Sequence, residues 1–598
     1  MEELSALHIG TSLALLIPVL LVGYVLLCPS GNPYQKECIR VQKEKRDRLH
    51  RCLAQEASPK DREGDAEIIE MSAGEIQRSY LQSKWTCERV LMAFIRRSRD
   101  LARLNAVTEE LFDEAVAKAK ELDQSGLLSQ QKSYESQPLL GVPISVKDSF
   151  VQKGTMSTCG MSSRTRKFRH DGLVVELLRD AGAVPFVKTN VPQCLMMVET
   201  DNRVFGRTEN PWMEGRTCGG SSGGEGALLS ARGSPLGIGS DVGGSIRTPA
   251  AFCGITGFKP TPLRLTRQGM ATLKKGSTPM GQQHILVASG PMGRFVSDLR
   301  LMMRALVVPK ASYMDPYTHQ SVWDDSVAEN GPGHKLRVGI MRSDGGFFNP
   351  CQATSRAVAE AAKALSKAGH EVVEFYAPST GWEIASLYYG HMGAEGNMLT
   401  FVESLDGEPF ISSYKTLYWF SQVPNILRPL ISWIFWLKGE HRKSALCGTV
   451  RNGGLSTREY YERVVELATM KAAWVKAVRS QNLDAVLLPG PAMPAFKHGG
   501  SQNLTGSMTC CFLPNLLAWP SGMVPVTQVK EGEDRYDTRS LPALQRDSFA
   551  HAAHEQMVGS VGLPVGAQLM TLPQNDELCL YAMAELERAV GFTARPGV

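Results

Sequence analysis

Apolar positions alternate between short continuous runs and helical spacings along most of the chain, and this pattern predicts an α/β protein. The segments "PLLGVPISVK" (138–147), "LDAVLLPG" (483–490) and "GLPVGAQLM" (562–570) are typical of buried strands. "GLVVELLRDAGAVPFVKTNVPQ" (172–193) has the pattern of a helix, a turn and a strand, and residues 335–375 repeat a strand–helix–strand order. Such alternation favours a sheet covered by helices on both faces.

The N-terminal segment has a different pattern, because no Asp, Glu, Lys or Arg occurs between Leu4 and Gln35. Its apolar run, centred on "LALLIPVLLVGYVLL" (13–27), is long enough to cross a hydrocarbon layer of about 30 Å as a helix. Two glutamates precede the run, and seven Lys and Arg residues follow it between Lys36 and Arg51. This asymmetry favours an uncleaved, single-pass anchor over residues 1–30, with the rest of the chain in the cytosol, rather than a secretory signal peptide. The endoplasmic reticulum or another endomembrane is the expected location.

Bulk composition narrows the function classes further. The net charge is only +5 over 598 residues, which argues against nucleic acid as a partner. The 13 cysteines form no CxxC pair and the 12 histidines no HExxH pattern, so we predict reduced thiols, no metal site and no cofactor. Residues 31–72 are predicted as a charged helical stalk and residues 73–598 as one large domain.

The stretch "TCGGSSGGEGALLSARGSPLGIGSDVGGSIR" (217–247) is rich in glycine and serine. Its interspersed leucine, isoleucine and valine residues argue against a flexible linker. It has no lysine at the position that a phosphate-binding loop requires. "GGSSG" (219–223) fits the Gly-x-Ser-x-Gly nucleophile elbow, but no buried strand precedes it, and the candidate bases His551 and His554 lack supporting context.

A lysine upstream supports a third interpretation. Lys147 ends the predicted strand in "GVPISVKDSF", Ser221 follows it by 74 residues in "GGSSGG", and Ser245 follows by a further 24 in "GGSIR". With "GIGSDVGGSIRTPAAFCGITGFKPT" and "GLPVGAQL", these blocks resemble the amidase signature family over about residues 75–590. The resemblance implies the amidase-signature fold, a central twisted mixed β-sheet covered by helices on both faces. It further implies that Ser245 is the nucleophile, Ser221 the bridging serine and Lys147 the base.

The chemistry of such a triad can be argued from the residues themselves. A serine hydroxyl group is a weak nucleophile until a positioned base removes its proton. Lysine, with an ordinary pKa of about 10.4, serves as that base only where burial disfavours its charged form. The alternating Val142, Ile144 and Val146 place Lys147 at the end of a buried strand, as this requires. A proton relayed back through the two serines would protonate the leaving nitrogen, which amide cleavage needs.

The glycines before Ser245 indicate how the charge of a tetrahedral intermediate is stabilised, because they leave the approach to the backbone open. The predicted oxyanion donors are the backbone N–H groups of Val242, Gly243, Gly244 and Ser245. By the family resemblance, the peptide bond before Ser221 is cis. Three further residues match the family pattern and are predicted to orient the reacting groups, with ordinary loop hydrogen bonding as the alternative: Ser222, Asp241 and Arg247.

A second apolar segment, "YKTLYWFSQVPNILRPLISWIFWLKGEHRK" (414–443), is divided by Pro424 and Pro429 into two helices too short to cross a bilayer. Its aromatic and basic residues favour a helix pair that lies in one leaflet, with a buried core hairpin as the alternative. We refer to residues 413–443 as the cap. Its predicted membrane-binding residues are Trp419, Phe420, Arg428, Trp433, Phe435, Trp436 and Lys438.

The anchor and the cap together resemble the membrane-anchored members of the family that hydrolyse fatty acid amides. This resemblance implies N-acylethanolamines and primary fatty amides as substrates, an acyl-enzyme intermediate, and a homodimer with both caps facing one membrane. In the substrate channel, Leu195, Met196 and Met197 replace family aromatics and predict a softer, more adaptable lining. The alternatives are an amidase of other small or aryl amides, a glutamine amidotransferase subunit, and a membrane-attached scaffold with an inactive amidase fold.

Overall fold

The structure, a computed structural model, describes residues 33–53, 62–271, 273 and 282–598. Within these ranges the strands are β1 (Val107–Glu110), β2 (Pro143–Lys147), β3 (Val184–Thr189), β4 (Leu236–Asp241), β5 (Thr256–Lys259), β6 (Ala288–Gly293), β7 (Arg337–Ile340), β8 (Glu371–Glu374), β9 (Ala485–Pro489), β10 (Ser521–Gln528) and β11 (Pro564–Met570). They form one sheet in the order β1-β3-β2-β4-β6-β5-β10-β11-β9-β7-β8.

The sheet is mixed, as the family resemblance implied. β2 pairs in parallel with β3 and β4, and β7 pairs in parallel with β8 and β9. The remaining neighbours are antiparallel, including the long β10–β11 pair. All residues of β2, β3, β4 and β11 are buried, because helices flank the sheet. The predicted α/β class is therefore confirmed.

The α-helices of the described ranges connect and cover these strands. They are α1 (Pro33–Leu53), α2 (Asp65–Ile68), α3 (Ala73–Leu81), α4 (Cys87–Asp100), α5 (Phe112–Ser125), α6 (Ser133–Ser136), α7 (Leu173–Asp180), α8 (Gly223–Ser230), α9 (Arg247–Cys253), α10 (Val296–Leu306), α11 (Pro309–Met314), α12 (Asp325–Asn330), α13 (Gln352–Lys367), α14 (Gly381–Met392), α15 (Leu399–Leu405), α16 (Ser412–Ser421), α17 (Arg428–Leu437), α18 (His441–Leu446), α19 (Thr457–Ser480), α20 (Ser501–Leu504), α21 (Thr509–Leu517), α22 (Ser548–Met557) and α23 (Asp576–Val590).

Local sequence explains many of these helices. α3, α14 and α19 each begin at a capping box, in which a Ser or Thr and a Glu three residues later satisfy each other's backbone N–H groups. α13 buries Ala353, Ala357, Ala361 and Leu365, a four-residue spacing that places all of them on one face. That face packs on β10 and β11, at the centre of the sheet.

The charged segment after the predicted anchor forms α1, but α1 is not a free stalk. Cys38 and Val41 are buried in a small apolar cluster with Phe205, and Gln42 Nε2 donates to the carbonyl oxygen of Arg203 at 3.0 Å. This part of the predicted stalk therefore lies against the main body. The predicted anchor, residues 1–30, lies outside the described residues. No helix within the described ranges is both long and apolar enough to cross a membrane.

Candidate active site

The predicted site residues lie at one edge of the sheet, where two neighbouring parallel strands end. β2 ends at Lys147, and β4, its parallel neighbour, ends at Asp241. The carboxyl ends of adjacent parallel strands form a crevice in which α/β proteins commonly place ligands. Residues 242–246 follow β4 as a loop that carries Ser245, and α9 begins directly after it.

Lys147 is fully buried, and its side-chain nitrogen lies among hydroxyl groups. Nζ is 2.8 Å from Ser221 Oγ, 2.9 Å from Ser222 Oγ and 3.0 Å from Ser240 Oγ. Burial removes the water that would stabilise an ammonium ion and lowers the pKa of Lys147 to about 7, although the charge of Asp241 partly opposes this shift. Near neutral pH, much of Lys147 is therefore an uncharged amine that can accept a proton.

Ser221 is held beside Lys147 by a tightly packed glycine segment. The Gly220–Ser221 peptide bond is cis, as the family resemblance implied. Gly219 has a φ of 87°, in the left-handed region that favours glycine. A Cβ atom on Gly220 would lie 2.4 Å from the carbonyl oxygen of Met197, so the position leaves no room for a side chain. Both positions therefore exclude a side chain for steric reasons, since a Cβ atom on Gly219 would lie 2.8 Å from Pro249 Cα, and Gly219 also has the left-handed φ.

Ser245 and Ser221 line the same cavity. The backbone N–H of Ser222 donates to the carbonyl oxygen of Ser245 at 3.0 Å, which ties the two serine loops together. The Ser245 hydroxyl group makes no hydrogen bond to any residue that the structure describes. It is therefore available to a molecule bound in the cavity.

The predicted oxyanion donors divide into two groups. Within the described part of the chain, the backbone N–H groups of Val242, Gly243 and Ser245 have no acceptor. The N–H group of Gly244 instead donates to Asp241 Oδ1 at 2.7 Å. The prediction for Gly244 is corrected accordingly, because that amide is already engaged in closing the loop.

Asp241 is fixed by buried polar side chains. Arg247 donates to both carboxylate oxygens, from Nε at 3.1 Å and from Nη2 at 3.0 Å. Asn515 Nδ2 donates to Asp241 at 3.0 Å, and Gln568 Oε1 accepts from Arg247 at 3.0 Å. Burial alone would raise the pKa of Asp241, but the charge of Arg247 and its hydrogen bonds hold it well below its ordinary value. The predicted residues Asp241 and Arg247 therefore form one rigid ion pair behind the Ser245 loop.

Sequence reasoning missed a second buried carboxyl group near Lys147. Glu225 of α8 accepts hydrogen bonds from Ser145 Oγ at 2.6 Å and from Thr189 Oγ1 at 2.7 Å. Burial raises its pKa to about 7. Gly237 leaves the space for this group, since a Cβ atom there would lie 2.0 Å from Glu225 Oε2. Glu225 is part of the motif "GGSSGGEGALL", but nothing in the motif distinguishes it from an exposed helical glutamate. Ser240 was missed as well, because the sequence does not show that β4 brings its hydroxyl group to Lys147.

The cavity in front of Ser221 and Ser245 encloses about 1140 Å³ of empty space, part of it open to solvent. Most of its wall is apolar, formed by Cys194, Leu195, Met196, Val242, Met270, Ala271, Leu273, Ile285, Val287 and Pro316. Its polar lining residues, apart from serines, are Arg267, Gln268, Gln282, Asp315 and Tyr317. Met197 is not among the described lining residues, because it is buried in an apolar cluster beside the cavity. That part of the channel prediction is corrected.

The cap consists of the two predicted helices, α16 and α17, joined through a short 3-10 turn at Asn425–Leu427. Trp419, Trp433 and Trp436 are 60%, 57% and 56% exposed, which excludes a buried core hairpin in this chain. Lys438 is exposed too, whereas Phe420 and Phe435 are half-buried.

Arg428 differs from the prediction that it faces a membrane. It is 5% exposed, and its guanidinium group donates to the carbonyl oxygens of Phe420 at 3.1 Å, Val423 at 3.2 Å and Cys447 at 3.0 Å. Five N–H donors allow one arginine to satisfy several main-chain acceptors at once. Arg428 therefore holds the two cap helices together from the inside.

The nucleophile-elbow alternative finds no support in the geometry. Ser221 contacts Lys147 rather than a histidine, and neither His551 nor His554 belongs to the described cavity lining. His554 Nδ1 is instead paired with the carbonyl oxygen of Tyr536 at 2.9 Å. In the described ranges, no group of three or more His, Cys, Asp or Glu side chains is arranged to hold a metal ion.

Comparison with known proteins shows the family of this chain. An amidase family profile matches residues 89–580. The chain belongs to the amidase signature family. It is 34% identical to "Fatty-acid amide hydrolase 1" from Sus scrofa over 513 residues, and this alignment covers 85% of this chain and 84% of that protein. It is 33% identical over 529 residues to "Fatty acid amide hydrolase 1" from Caenorhabditis elegans, which covers 87% and 88%.

More distant members of the family match over a similar length. The acetamidase of Emericella nidulans is 30% identical over 547 residues, which cover 89% of this chain and 92% of that protein. A solved structure of a fatty acid amide hydrolase superposes with a TM-score of 0.74 over 94% of this chain and 92% of that chain, at 24% sequence identity, so it shows the shared fold. The family match and these relatives show that the chain is an amidohydrolase that acts on amides.

Proposed function

We propose that this amidase hydrolyses amides of long-chain fatty acids, with Ser245 as nucleophile, Ser221 as bridge and Lys147 as base. The observation that carries the proposal is the buried Lys147 amine, 2.8 Å from Ser221 Oγ, at a cavity lined by both serines. The porcine and nematode relatives are named as fatty acid amide hydrolases and the fungal one as an acetamidase. Similarity alone thus does not determine the length of the substrate's acyl group. The largely apolar cavity wall favours a long acyl chain.

The proposed reaction proceeds in two halves. The Ser245 hydroxyl group, which has no described partner in the free protein, donates its proton to Ser221 Oγ once an amide is bound. Ser221 passes its own proton to Lys147, and Ser245 Oγ forms a bond to the amide carbonyl carbon. The carbonyl π electrons move onto oxygen, where the backbone N–H groups of Val242, Gly243 and Ser245 are available to stabilise the charge. The relay then runs in reverse to protonate the nitrogen, the C–N bond breaks, and the amine leaves. Water attacks the acyl-enzyme with the same base, which releases the fatty acid and restores Ser245.

The lining of the cavity supports N-acylethanolamines and primary fatty amides as substrates. The apolar wall around Leu195, Met196 and Met270 suits an acyl chain. The polar lining at Arg267 and Asp315 offers hydrogen bonds to a small polar amine group. A flexible methionine adapts its shape to the ligand, so a range of chain lengths is expected.

Hydrolysis of a graded panel tests this function. The full chain in detergent is given N-acyl ethanolamides and primary amides from two to about twenty carbons, and the product acids are measured. We expect turnover to rise with chain length, and a fluorophosphonate probe to label wild-type protein and the exposed control Ser480→Ala but not Ser245→Ala. Turnover confined to short amides would support the small-amide alternative, and ammonia transfer to a co-purified subunit would support the amidotransferase. Absence of both turnover and labelling would refute the proposed hydrolase activity.

We further propose that the cap lies in one leaflet of a membrane. Three exposed tryptophans and the exposed Leu430 on two adjoining short helices form an apolar surface that is unusual for a water-exposed face. The single-pass anchor over residues 1–30, the cytosolic orientation, the endoplasmic reticulum and the homodimer are proposed on the sequence and the family resemblance.

A matched pair of variants tests the cap. Trp433→Ser with Trp436→Ser should lower turnover of a fatty amide presented in vesicles by about tenfold, while hydrolysis of a short soluble amide stays unchanged, because only the first reaction requires seating on the membrane. Tyr461→Ser removes an aromatic residue of similar exposure, 65%, from α19 outside the cap and should affect neither reaction. Equal loss with both substrates would contradict membrane seating by the cap.

A further inference from the structure

Tyr388 of α14 is a buried residue whose hydroxyl group has no partner among the described residues. The residue is 5% exposed, and its ring stacks on Phe512 of α21 with ring centres 3.9 Å apart and parallel planes. Its Oη makes no hydrogen bond to any described residue. The adjacent Tyr389 provides a contrast, since its Oη is 3.3 Å from Thr505 Oγ1. The ring of Tyr388 is thus fixed by packing, while its hydroxyl group keeps a donor that a bound molecule can use.

The hydroxyl group of Tyr388 lies against the loop that carries Ser245. A Cβ atom on Gly243 would be 2.0 Å from Tyr388 Oη, so the phenol oxygen occupies the place where any other residue would have its side chain. The stacking on Phe512 fixes the ring in this position. Gly243 itself is one of the residues whose backbone N–H group lacks an acceptor within the described ranges. Within the described residues, the loop around Ser245 (N–H groups of Val242, Gly243 and Ser245) and α14 (the Tyr388 hydroxyl group) thus both present hydrogen-bond donors without an acceptor.

We propose that Tyr388 is a further catalytic residue, which donates its hydroxyl hydrogen to the amide carbonyl oxygen as that oxygen becomes an oxyanion. This inference rests on the proposed function. When Ser245 Oγ bonds to the carbonyl carbon, the π electrons move to oxygen, and the hydrogen bond from Tyr388 strengthens with the charge. No proton is transferred from Tyr388 to the substrate in this hydrogen bond. Tyr388 keeps its hydrogen because burial raises the pKa of the phenol far above its ordinary value.

The neighbouring tyrosines provide the test and its matched control. Tyr388→Phe removes one oxygen and no packing, and it should lower kcat by about 10²-fold with little change in KM, because the donor acts in the transition state. The affinity for a trifluoromethyl ketone, whose adduct with Ser245 carries an oxyanion, should fall by the same factor. Tyr389→Phe should change both quantities by less than about threefold. The Tm of Tyr388→Phe should equal that of wild type, since the lost oxygen had no protein partner.

The outcomes separate this inference from the proposed function. If Tyr388→Phe keeps kcat and inhibitor affinity within about threefold of an active wild type, the inference is wrong and the proposed function stands. If wild type neither turns over amides nor reacts with fluorophosphonate, both are wrong. A solved structure of the wild-type chain with a trifluoromethyl ketone bound to Ser245 tests the role of Tyr388 without any variant. Tyr388 Oη should lie about 2.7 Å from the adduct oxygen, and a separation beyond about 4 Å overturns the inference.

Discussion

The pH dependence of acylation tests the role of Lys147 most directly. With a pKa of about 7, Lys147 would be about 10% neutral at pH 6, about 50% at pH 7 and about 90% at pH 8. An exposed lysine with the ordinary pKa of about 10.4 would be only about 0.4% neutral at pH 8. Burial therefore increases the amount of free base at pH 8 by about 200-fold. The sign is fixed by the chemistry: only the uncharged amine accepts a proton, so the rate must rise as pH rises through the pKa.

The assay is the second-order rate constant for fluorophosphonate labelling of Ser245 between pH 5 and 9.5 at constant ionic strength. We expect the rate to rise about tenfold per pH unit below 7 and to level off above it. Lys147→Met should remove the step and most of the rate. Lys259 supplies a matched control, because it is also buried, with a pKa that burial lowers to about 7. Among the described residues, its Nζ hydrogen-bonds to the carbonyl oxygen of Pro260 at 3.0 Å and to neither serine of the site. Lys259→Met should retain the step at the same pH.

Two results would refute this reasoning. A rate that stays flat from pH 5 to 8, or that begins to rise only above about pH 9, would show that the base is not a lysine of lowered pKa. A pH step that disappears in Lys259→Met and persists in Lys147→Met would identify Lys259, and not Lys147, as the group that titrates. Circular dichroism at each pH confirms that the compared proteins are folded.

Three further substitutions test how the site and the cap are supported. Gly220→Ala brings a Cβ to 2.4 Å from a backbone carbonyl oxygen, and the displaced serine loop should lower labelling by about 10²-fold. Arg428→Met leaves buried carbonyl oxygens without donors and should lower the free energy of unfolding by about 1–3 kcal/mol, measured by denaturant titration. The exposed control Arg458→Met should change it by less than about 0.5 kcal/mol. Arg247→Met leaves Asp241 buried without its charge partner and should cost about 3–5 kcal/mol, so a Tm within about 2 °C of wild type would contradict that ion pair.

The sequence predicted those features that depend on local pattern. Alternating apolar residues before Lys147 indicated a buried strand, and the strand is β2. Because burial is what lowers the pKa of a lysine, the same alternation predicted its chemistry as well. The spacing of α13 and the two prolines of the cap indicated helix positions for equally local reasons.

Features that depend on tertiary contacts could not be predicted this way. Arg428 looks like a basic residue at a membrane-facing helix, but the fold directs its guanidinium group inward to main-chain carbonyl oxygens. Gly244 looks equivalent to Gly243, yet only its amide is engaged by Asp241. Tyr388 is about 140 residues from Ser245 in the chain, and no local pattern connects it with the Gly243 backbone. In each case, the deciding partner comes from a different part of the fold.

The cap and the cavity wall are joined through one side chain. Tyr414 of α16 is 1% exposed. Its Oη donates to the carbonyl oxygen of Gln193 and accepts from the backbone N–H of Met196 at 3.2 Å. Between these two points, Cys194 and Leu195 have φ angles of 57° and 63°, left-handed conformations that such residues adopt only where the surrounding contacts hold them. Since Cys194 and Leu195 line the cavity, Tyr414, which belongs to the first cap helix, also holds the left-handed turn that forms part of the cavity wall. The first cap helix and the wall of the cavity are therefore connected by direct hydrogen bonds.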